Sequence, residues 1–144
     1  MSLRRIAVSG ASAPLSRAVE VPAANAWVVF SAQMPPVVDP AASQPSVATF
    51  GNTETQTFGC LQRVEQVLRE ADLGLEDLVS VRAYLVADPA TGEMDFDGFS
   101  RGWTRFFESR PVSGFPARSV VQVAGLVKPG WLVELEPLAA RKKD

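Results

Sequence analysis

The residue with the clearest chemical capacity in this sequence is Arg118, within the segment 115–119 (FPARS). It precedes the apolar stretch 120–126, which is typical of a buried strand, so we expect the arginine at the mouth of that strand. A guanidinium presents a planar fork of donors that matches a carboxylate or a phosphate, and it stays charged at physiological pH. Arg118 is therefore a candidate anion clamp. A surface ion pair with an acidic side chain is the alternative interpretation.

The other reactive side chains are few, because the chain has no histidine and one cysteine. Its chemistry must rely on arginine, carboxylates, hydroxyls, backbone groups and water, and we expect neither a zinc site nor an intrachain disulfide. Cys60 lies near the apolar stripe of a predicted helix, where a small buried hydrophobe is the ordinary role. Glu134 and Glu136 share one face of a predicted strand, either as a solvated acidic edge or as part of a site.

Composition places the chain among single-domain globular proteins. Its 144 residues are 47% hydrophobic and 21% charged, so we expect one domain over residues 1–144. No apolar stretch approaches the roughly 20 residues of a spanning helix, and no signal peptide is evident, so we expect a cytoplasmic protein without membrane contact. The net charge is −2 and only residues 141–143 cluster basic side chains, which makes a nucleic-acid partner improbable.

Hydrophobic periodicity predicts the element order β-β-α-β-α-β-β. The predicted strands are 5–8, 26–31, 78–86, 118–126 and 131–138, and four prolines make 35–52 a loop. A first helix spans 53–73, with capping-box spacing at Thr53 and Gln56 and a stop at Gly74. Asp95 caps a second helix that ends before Pro111, with an apolar stripe formed by Phe96, Phe99, Trp103, Phe106 and Phe107.

The predicted sheet has more apolar surface than two helices can cover. The stretch 120–126 is apolar on both faces, whereas two helices cover only one. Either a homo-oligomer packs sheet against sheet over the second face, or the N-terminal segment and the loop 35–52 fold back over it.

Several segments resemble a known family. Residues 115–126 (FPARSVVQVAGL), then 133–136 (VELE) and the ending 138–141 (LAAR), closely resemble the C-terminal signature of the RidA family, also called YjgF or L-PSP endoribonuclease. Residues 31–35 (SAQMP) look like that family's strand-ending Ser-Gly-Gln-x-Pro. The predicted helices and the strand between them follow the family's order, and the similarity extends from about residue 14 onward.

The resemblance implies a chorismate-mutase-like α+β fold, with one mixed sheet and two helices on one face, assembled as a homotrimer with clefts at the subunit interfaces. It also implies hydrolysis of reactive 2-imino or 2-enamino acids to 2-oxo acids and ammonia, without metal or organic cofactor. In that scheme Arg118 holds the carboxylate of the substrate and Glu134 orients the attacking water. A protonated imine is already electrophilic, so holding the carboxylate, placing water and moving protons are the tasks left to the protein.

The chain departs from the family pattern around the expected pocket. Many members have tyrosine in a Gly-Pro-Tyr segment where this chain has 13–15 (APL), so Leu15 removes a phenolic hydroxyl. Val120 replaces a common cysteine two residues after the arginine, and Ala32 replaces the usual glycine after Ser31. With Ser31, these three side chains are the expected lining of a pocket that is more apolar and slightly tighter.

Two functions follow, and the sequence leaves both open. The leading one is a cofactor-independent imine or enamine deaminase, a hydrolase. The second is a regulatory module that binds a small carboxylate without turnover, motivated by the polar groups lost at Leu15 and Val120. An endoribonuclease is a distant third, because the chain lacks histidine and metal ligands and its pI is near 5.2.

Overall fold

The computed structural model describes residues 2–10, 13–41 and 44–143. The strands are β1 Arg4–Ala7, β2 Ser16–Glu20, β3 Ala26–Val29, β4 Leu78–Leu85, β5 Ala117–Gln122 and β6 Val133–Arg141. They form one six-stranded sheet in the spatial order β1-β2-β5-β4-β6-β3. β5 runs parallel to β4 and to β2, and the remaining neighbours are antiparallel. The predicted α+β class with one mixed sheet is confirmed.

The helices in the described residues are α1 Val47–Phe50, α2 Thr53–Glu70 and α3 Phe96–Glu108, and a 3₁₀ turn occupies Leu75–Asp77. The structure adds β2 and the one-turn α1 to the predicted order. β2 has the sequence SRAVE, in which polar residues at both ends leave too short an apolar pattern to predict a strand. None of these helices is long and apolar enough to cross a membrane.

The N-terminus of α2 differs from the predicted capping box at Thr53 and Gln56. Asn52 is the cap, and its side-chain oxygen accepts a hydrogen bond from a backbone N–H of the first turn at 2.9 Å. Gln56 is fully buried and bonds elsewhere: its amide donates to the carbonyl of Gly130 at 2.8 Å and accepts from the N–H of Leu132 at 2.7 Å. Gln56 therefore fixes α2 to the segment that leads into β6.

The ends of the two long helices also correct the prediction. α2 stops at Glu70, before the predicted stop at Gly74, and Asp72 takes the left-handed conformation there with φ 55°. The predicted cap of α3 is confirmed, since Asp95 accepts a hydrogen bond from the N–H of Gly98 at 2.8 Å. Phe96 is 42% exposed, so it does not belong to the buried stripe of that helix.

α2 and α3 pack closely because of a glycine. A Cβ at Gly102 of α3 would lie 2.5 Å from the carbonyl oxygen of Glu54 and 3.0 Å from the Cβ of Thr57, both on α2. Only a residue without a side chain fits this helix–helix contact. The contact fixes the position of the neighbouring Trp103 relative to the sheet.

The hydrophobic core lies between these two helices and one face of the sheet. Its buried side chains come from α2, α3, β4 and β6 and include Leu61, Val64, Leu68, Phe99, Trp103, Phe106, Val81, Ala83, Leu85, Val133 and Leu135. The alternation along β4 and β6 directs these strand residues toward the helices and the intervening ones away from them. Cys60 is part of this core, and burial raises the pKa of its thiol, as expected of a small buried hydrophobe.

The opposite face of the sheet, which we call the open face, exposes large apolar side chains. Val29 is 79% exposed, Trp27 56% and Val121 49%. β1 and β2 extend the sheet at its edge rather than covering this face. Pro36 lies against Gly59 on α2, which places this part of the loop beside the helices. Among the described residues, neither β1 and β2 nor this part of the loop folds back over the open face, and its cover by a second copy of the chain stays a prediction.

Candidate functional site

Arg118 lies near the start of β5 and points toward the helices. It is paired in register with Val81 of β4, a core residue, so both side chains project from the covered face of the sheet. The guanidinium carbon lies 5.0 Å from the ring centroid of Trp103 and 5.2 Å from that of Phe99, both on α3. These distances are within the range of cation–π interactions, so two aromatic rings form a platform for the cation.

The guanidinium of Arg118 forms no ion pair with any carboxylate in the part of the chain that the structure describes. Among the described residues, Nη1 of Arg118 is buried and has no hydrogen-bond partner. Burial lowers the pKa of this guanidinium, and no carboxylate opposes the shift. A buried donor without a partner costs free energy, and a bound anion would relieve that cost. The arrangement favours the anion-clamp interpretation of Arg118 over the surface ion pair.

The turn before β2 borders this platform. The indole N–H of Trp103 donates to the carbonyl of Pro14 at 3.0 Å. Ser16 donates its backbone N–H to Pro116 at 3.0 Å and its hydroxyl to the carbonyl of Phe115 at 2.5 Å. Leu15 lies between these attachments and is part buried. The structure therefore holds Leu15 in a turn that is fastened both to the aromatic platform and to the residues just before Arg118.

Val120 follows Arg118 by two residues and projects from the same face of β5. It is part buried and packs against the core. Valine at this position therefore adds an apolar side chain to the covered face near Arg118, and its place in a pocket stays a prediction.

Glu134 lies elsewhere. In register it pairs with Tyr84, which also pairs with Val121, so Glu134 and Val121 project from the open face whereas Arg118 projects from the covered face. β6 is separated from β5 by β4, a distance of about 10 Å across two strand spacings. Within one chain, the structure does not bring Arg118 and Glu134 into one cleft.

The two predicted candidate acids differ in their partners. Glu136 forms an ion pair with Arg82 at 3.7 Å on the open face. Glu134, two residues earlier on the same face, forms no ion pair with any described residue. Of the two predicted acids, Glu134 is thus the one without an ion pair among the described residues.

Ser31 and Ala32 lie on the far side of β6. Their neighbour Gln33 exchanges backbone hydrogen bonds with Leu135, at 2.6 and 2.9 Å. This position is three strand spacings from β5, about 14 Å away. The predicted residues therefore form two groups. The first consists of Arg118, Leu15 and Val120, and the second of Glu134, Ser31 and Ala32.

Sequence reasoning missed the platform under Arg118. Phe99 and Trp103 were assigned to the core, which is correct for their burial but omits their contact with the cation. Their spacing of four residues on a helix predicts a shared face, yet nothing in the spacing indicates which group lies on that face. The hydroxyl of Ser16 was missed for a related reason, because β2 itself was not predicted.

The structure is that of a small α+β protein, with one mixed sheet, two long helices on one face and, on that covered face, an arginine with an unpaired donor. A sequence model of the family described as Endoribonuclease L-PSP matches residues 6–141. The chain belongs to this family, which is also known as RidA or YjgF.

Two solved structures share this fold. A Rid-family protein of unknown function, YyfB from Yersinia pestis, has a TM-score of 0.67 at 24% identity, over 96% of this chain and 98% of that one. Escherichia coli TdcF, solved with bound serine, has a TM-score of 0.61 at 26% identity, over 92% of this chain and 91% of that one.

A curated relative is similar in sequence. "Putative regulator AldR" from Lactococcus lactis is 33% identical over 89 residues, which is 62% of this chain. The match spans 63% of that relative, less than two thirds of its length.

Proposed function

We propose that this chain is a cofactor-independent hydrolase that converts reactive 2-imino or 2-enamino acids to 2-oxo acids and ammonia, acting as one domain in the cytoplasm. The observation that carries the proposal is Arg118, a half-buried cation on an aromatic platform with an unpaired donor. A 2-imino acid carries the carboxylate that this fork of donors fits.

The proposed reaction needs few groups. Arg118 holds the carboxylate, and Glu134 takes a proton from a water molecule as its oxygen bonds to the imine carbon. That proton passes to the nitrogen. Glu134 then takes the remaining hydroxyl proton as the carbon–nitrogen bond breaks, so the carbon becomes a ketone and ammonia leaves. A carboxylate suits both steps, since it tolerates the cationic imine and can shuttle protons.

The separation of the two groups within one chain supports a site built from two copies. Arg118 projects from the covered face and Glu134 from the open face; their strands are about 10 Å apart, and their partners on β4, Val81 and Tyr84, are three residues apart. The exposed Trp27 and Val29 give the open face an apolar surface that a second copy would bury. We therefore propose a homotrimer in which Arg118 of one chain and Glu134 of the next line each cleft.

A second candidate function is binding without turnover. Leu15 and Val120 leave the surroundings of Arg118 apolar, with few groups to move protons. The solved relative TdcF holds serine, a small molecule with a carboxylate. A regulatory module that senses a 2-oxo acid through Arg118 would need only the clamp. No observation favours a ribonuclease, and we do not propose one.

The decisive assay is the release of 2-oxo acid from a freshly generated 2-imino acid. We expect wild-type protein to accelerate release and Arg118→Ala to return it to the spontaneous rate. Saturable binding of pyruvate that depends on Arg118, with no acceleration for several imino acids, would instead establish the binding module. Absence of both binding and acceleration would refute the two functions together.

Mixing two inactive variants tests the two-chain site. If Arg118 and Glu134 act from neighbouring chains, Arg118→Ala and Glu134→Gln proteins unfolded and refolded together regain activity, to about a quarter of wild type for a random trimer. If both residues act from the same chain, no mixed assembly contains a complete site, and activity stays at the level of the separate variants.

A further inference from the structure

Trp103 makes two polar contacts of different kinds from one fully buried side chain. Its indole N–H donates to the carbonyl of Pro14 at 3.0 Å, and its ring lies 5.0 Å from the guanidinium carbon of Arg118. The first contact reaches the turn before β2 and the second reaches β5. One side chain therefore joins two segments that flank the candidate anion position.

This link through Trp103 is important because few contacts attach β2 to β5. The two strands share a single register pair, between Ser16 and Ala117. The hydrogen bonds of Ser16 to Phe115 and Pro116 fasten the turn at the same point. On the other side of Leu15, the indole N–H of Trp103 holds the turn through its hydrogen bond to the carbonyl of Pro14.

We propose that Trp103 is a positioning residue of the carboxylate clamp, which fixes the guanidinium of Arg118 and the Leu15 wall relative to each other through its indole N–H. The proposal rests on the function of Arg118 proposed above. It differs from a purely structural role in one respect: ligand affinity depends on the N–H itself and not only on an aromatic ring of the right size.

The chain offers a matched control in Trp131. Its Nε1 is buried and has no hydrogen-bond partner among the described residues, and Lys128 lies 5.8 Å from its ring centroid. Replacing either tryptophan by phenylalanine removes the same atoms and leaves an aromatic ring beside a cation. Only the change at Trp103 breaks a hydrogen bond to the turn that borders Arg118.

The test is calorimetric titration with pyruvate, a simple 2-oxo acid, of wild type, Trp103→Phe and Trp131→Phe. We expect Trp103→Phe to bind about tenfold more weakly, which corresponds to about 1.4 kcal/mol, and Trp131→Phe to bind within about twofold of wild type. Thermal midpoints of both variants, measured in parallel, separate loss of affinity from loss of folded protein.

A second readout needs no variant at position 103 to fold. The chain has three tryptophans, so a nitrogen–proton correlation spectrum shows three indole signals, which Trp27→Phe and Trp131→Phe assign. We expect pyruvate to shift the Trp103 signal in wild-type protein and to leave that of Trp131 in place.

The outcomes distinguish this inference from the function on which it rests. If wild type binds pyruvate through Arg118 but Trp103→Phe binds equally well and the Trp103 signal does not move, the positioning role is wrong and the clamp stands. If wild type shows no saturable binding of pyruvate, the clamp itself is wrong and the positioning role falls with it.

Discussion

Two arginines of this protein lie on aromatic rings of the same helix and differ in what meets their donors. The guanidinium carbon of Arg110 lies 4.4 Å from the ring centroid of Phe106, and its donors bind the carboxylate of Glu65 at 3.0 to 3.2 Å. Arg118 lies on Trp103 in the same manner, but no carboxylate among the described residues pairs with it. Both arginines are partly buried, and among the described residues only Arg110 is paired with a carboxylate.

The difference separates an arginine whose donors are used within the fold, Arg110, from one whose donor is available to a ligand, Arg118. A groove of about 930 Å³ adjoins Arg110 and would be the obvious place to seek a ligand. An anion there would have to displace Glu65, which already occupies the guanidinium fork. No described group competes for Arg118. Its unpaired donor therefore makes Arg118 a better candidate for binding an anion than Arg110.

The largest expected contrast between the two arginines is in ligand affinity. We expect Arg118→Ala to weaken pyruvate binding by about ten- to a hundredfold, because a charge-assisted carboxylate pair contributes about 1.5–3 kcal/mol. Arg110→Ala should bind within about threefold of wild type. Calorimetric titration of both variants measures the contrast. Equal losses would mean that the groove beside Arg110 participates in binding.

Stability should show the reverse contrast. Arg110→Ala removes the hydrogen bonds to Glu65, which is 14% exposed and keeps its ion pair with Arg69, so we expect a loss of about 2 kcal/mol in the free energy of unfolding. Arg118→Ala removes an unpaired charged donor, which stabilises the fold, and a cation–π contact, whose loss destabilises it. Because the two effects oppose each other, we expect the free energy of unfolding to change by no more than about 0.5 kcal/mol. Urea denaturation provides both values. A larger loss at Arg118 would indicate that its role is mainly structural.

The smallest expected effect is a coupling energy. A double-mutant cycle of Arg110→Ala with Glu65→Ala should give about 1 kcal/mol in unfolding free energy, since the pair is part buried and hydrogen bonded. The same cycle on Arg118 and Glu134 should give no coupling within a folded chain, because they project from opposite faces. Urea denaturation under conditions where the chains are dissociated would make the two cycles comparable.

The sequence predicts much of the scaffold that carries this contrast. α2, α3 and β4 follow strong periodic patterns, and Asp95 has the expected capping role. Arg118 is identifiable because it precedes an apolar strand. β2 is not, because a short strand at the periphery of the sheet with polar ends carries little pattern.

The geometry of the site lies beyond what periodicity can predict. Alternation along β6 shows that Glu134 and Glu136 share a face, which the structure confirms. The relation of that face to the side chain of Arg118 depends on the register of β4 with both neighbours, and register is a tertiary property. For the same reason, the aromatic spacing in α3 could not reveal that Trp103 supports a cation.

A crystal structure of the protein grown with pyruvate tests the central claim most directly, because it shows what occupies the free donors of Arg118. Our account predicts the carboxylate of the ligand on the guanidinium fork, about 3 Å from its nitrogens, with Glu134 of a neighbouring chain facing the same cleft. An acidic side chain of a neighbouring copy bound to Arg118 in place of the ligand would contradict the account. The arginine would then be an interface residue whose donors are already paired, as those of Arg110 are with Glu65.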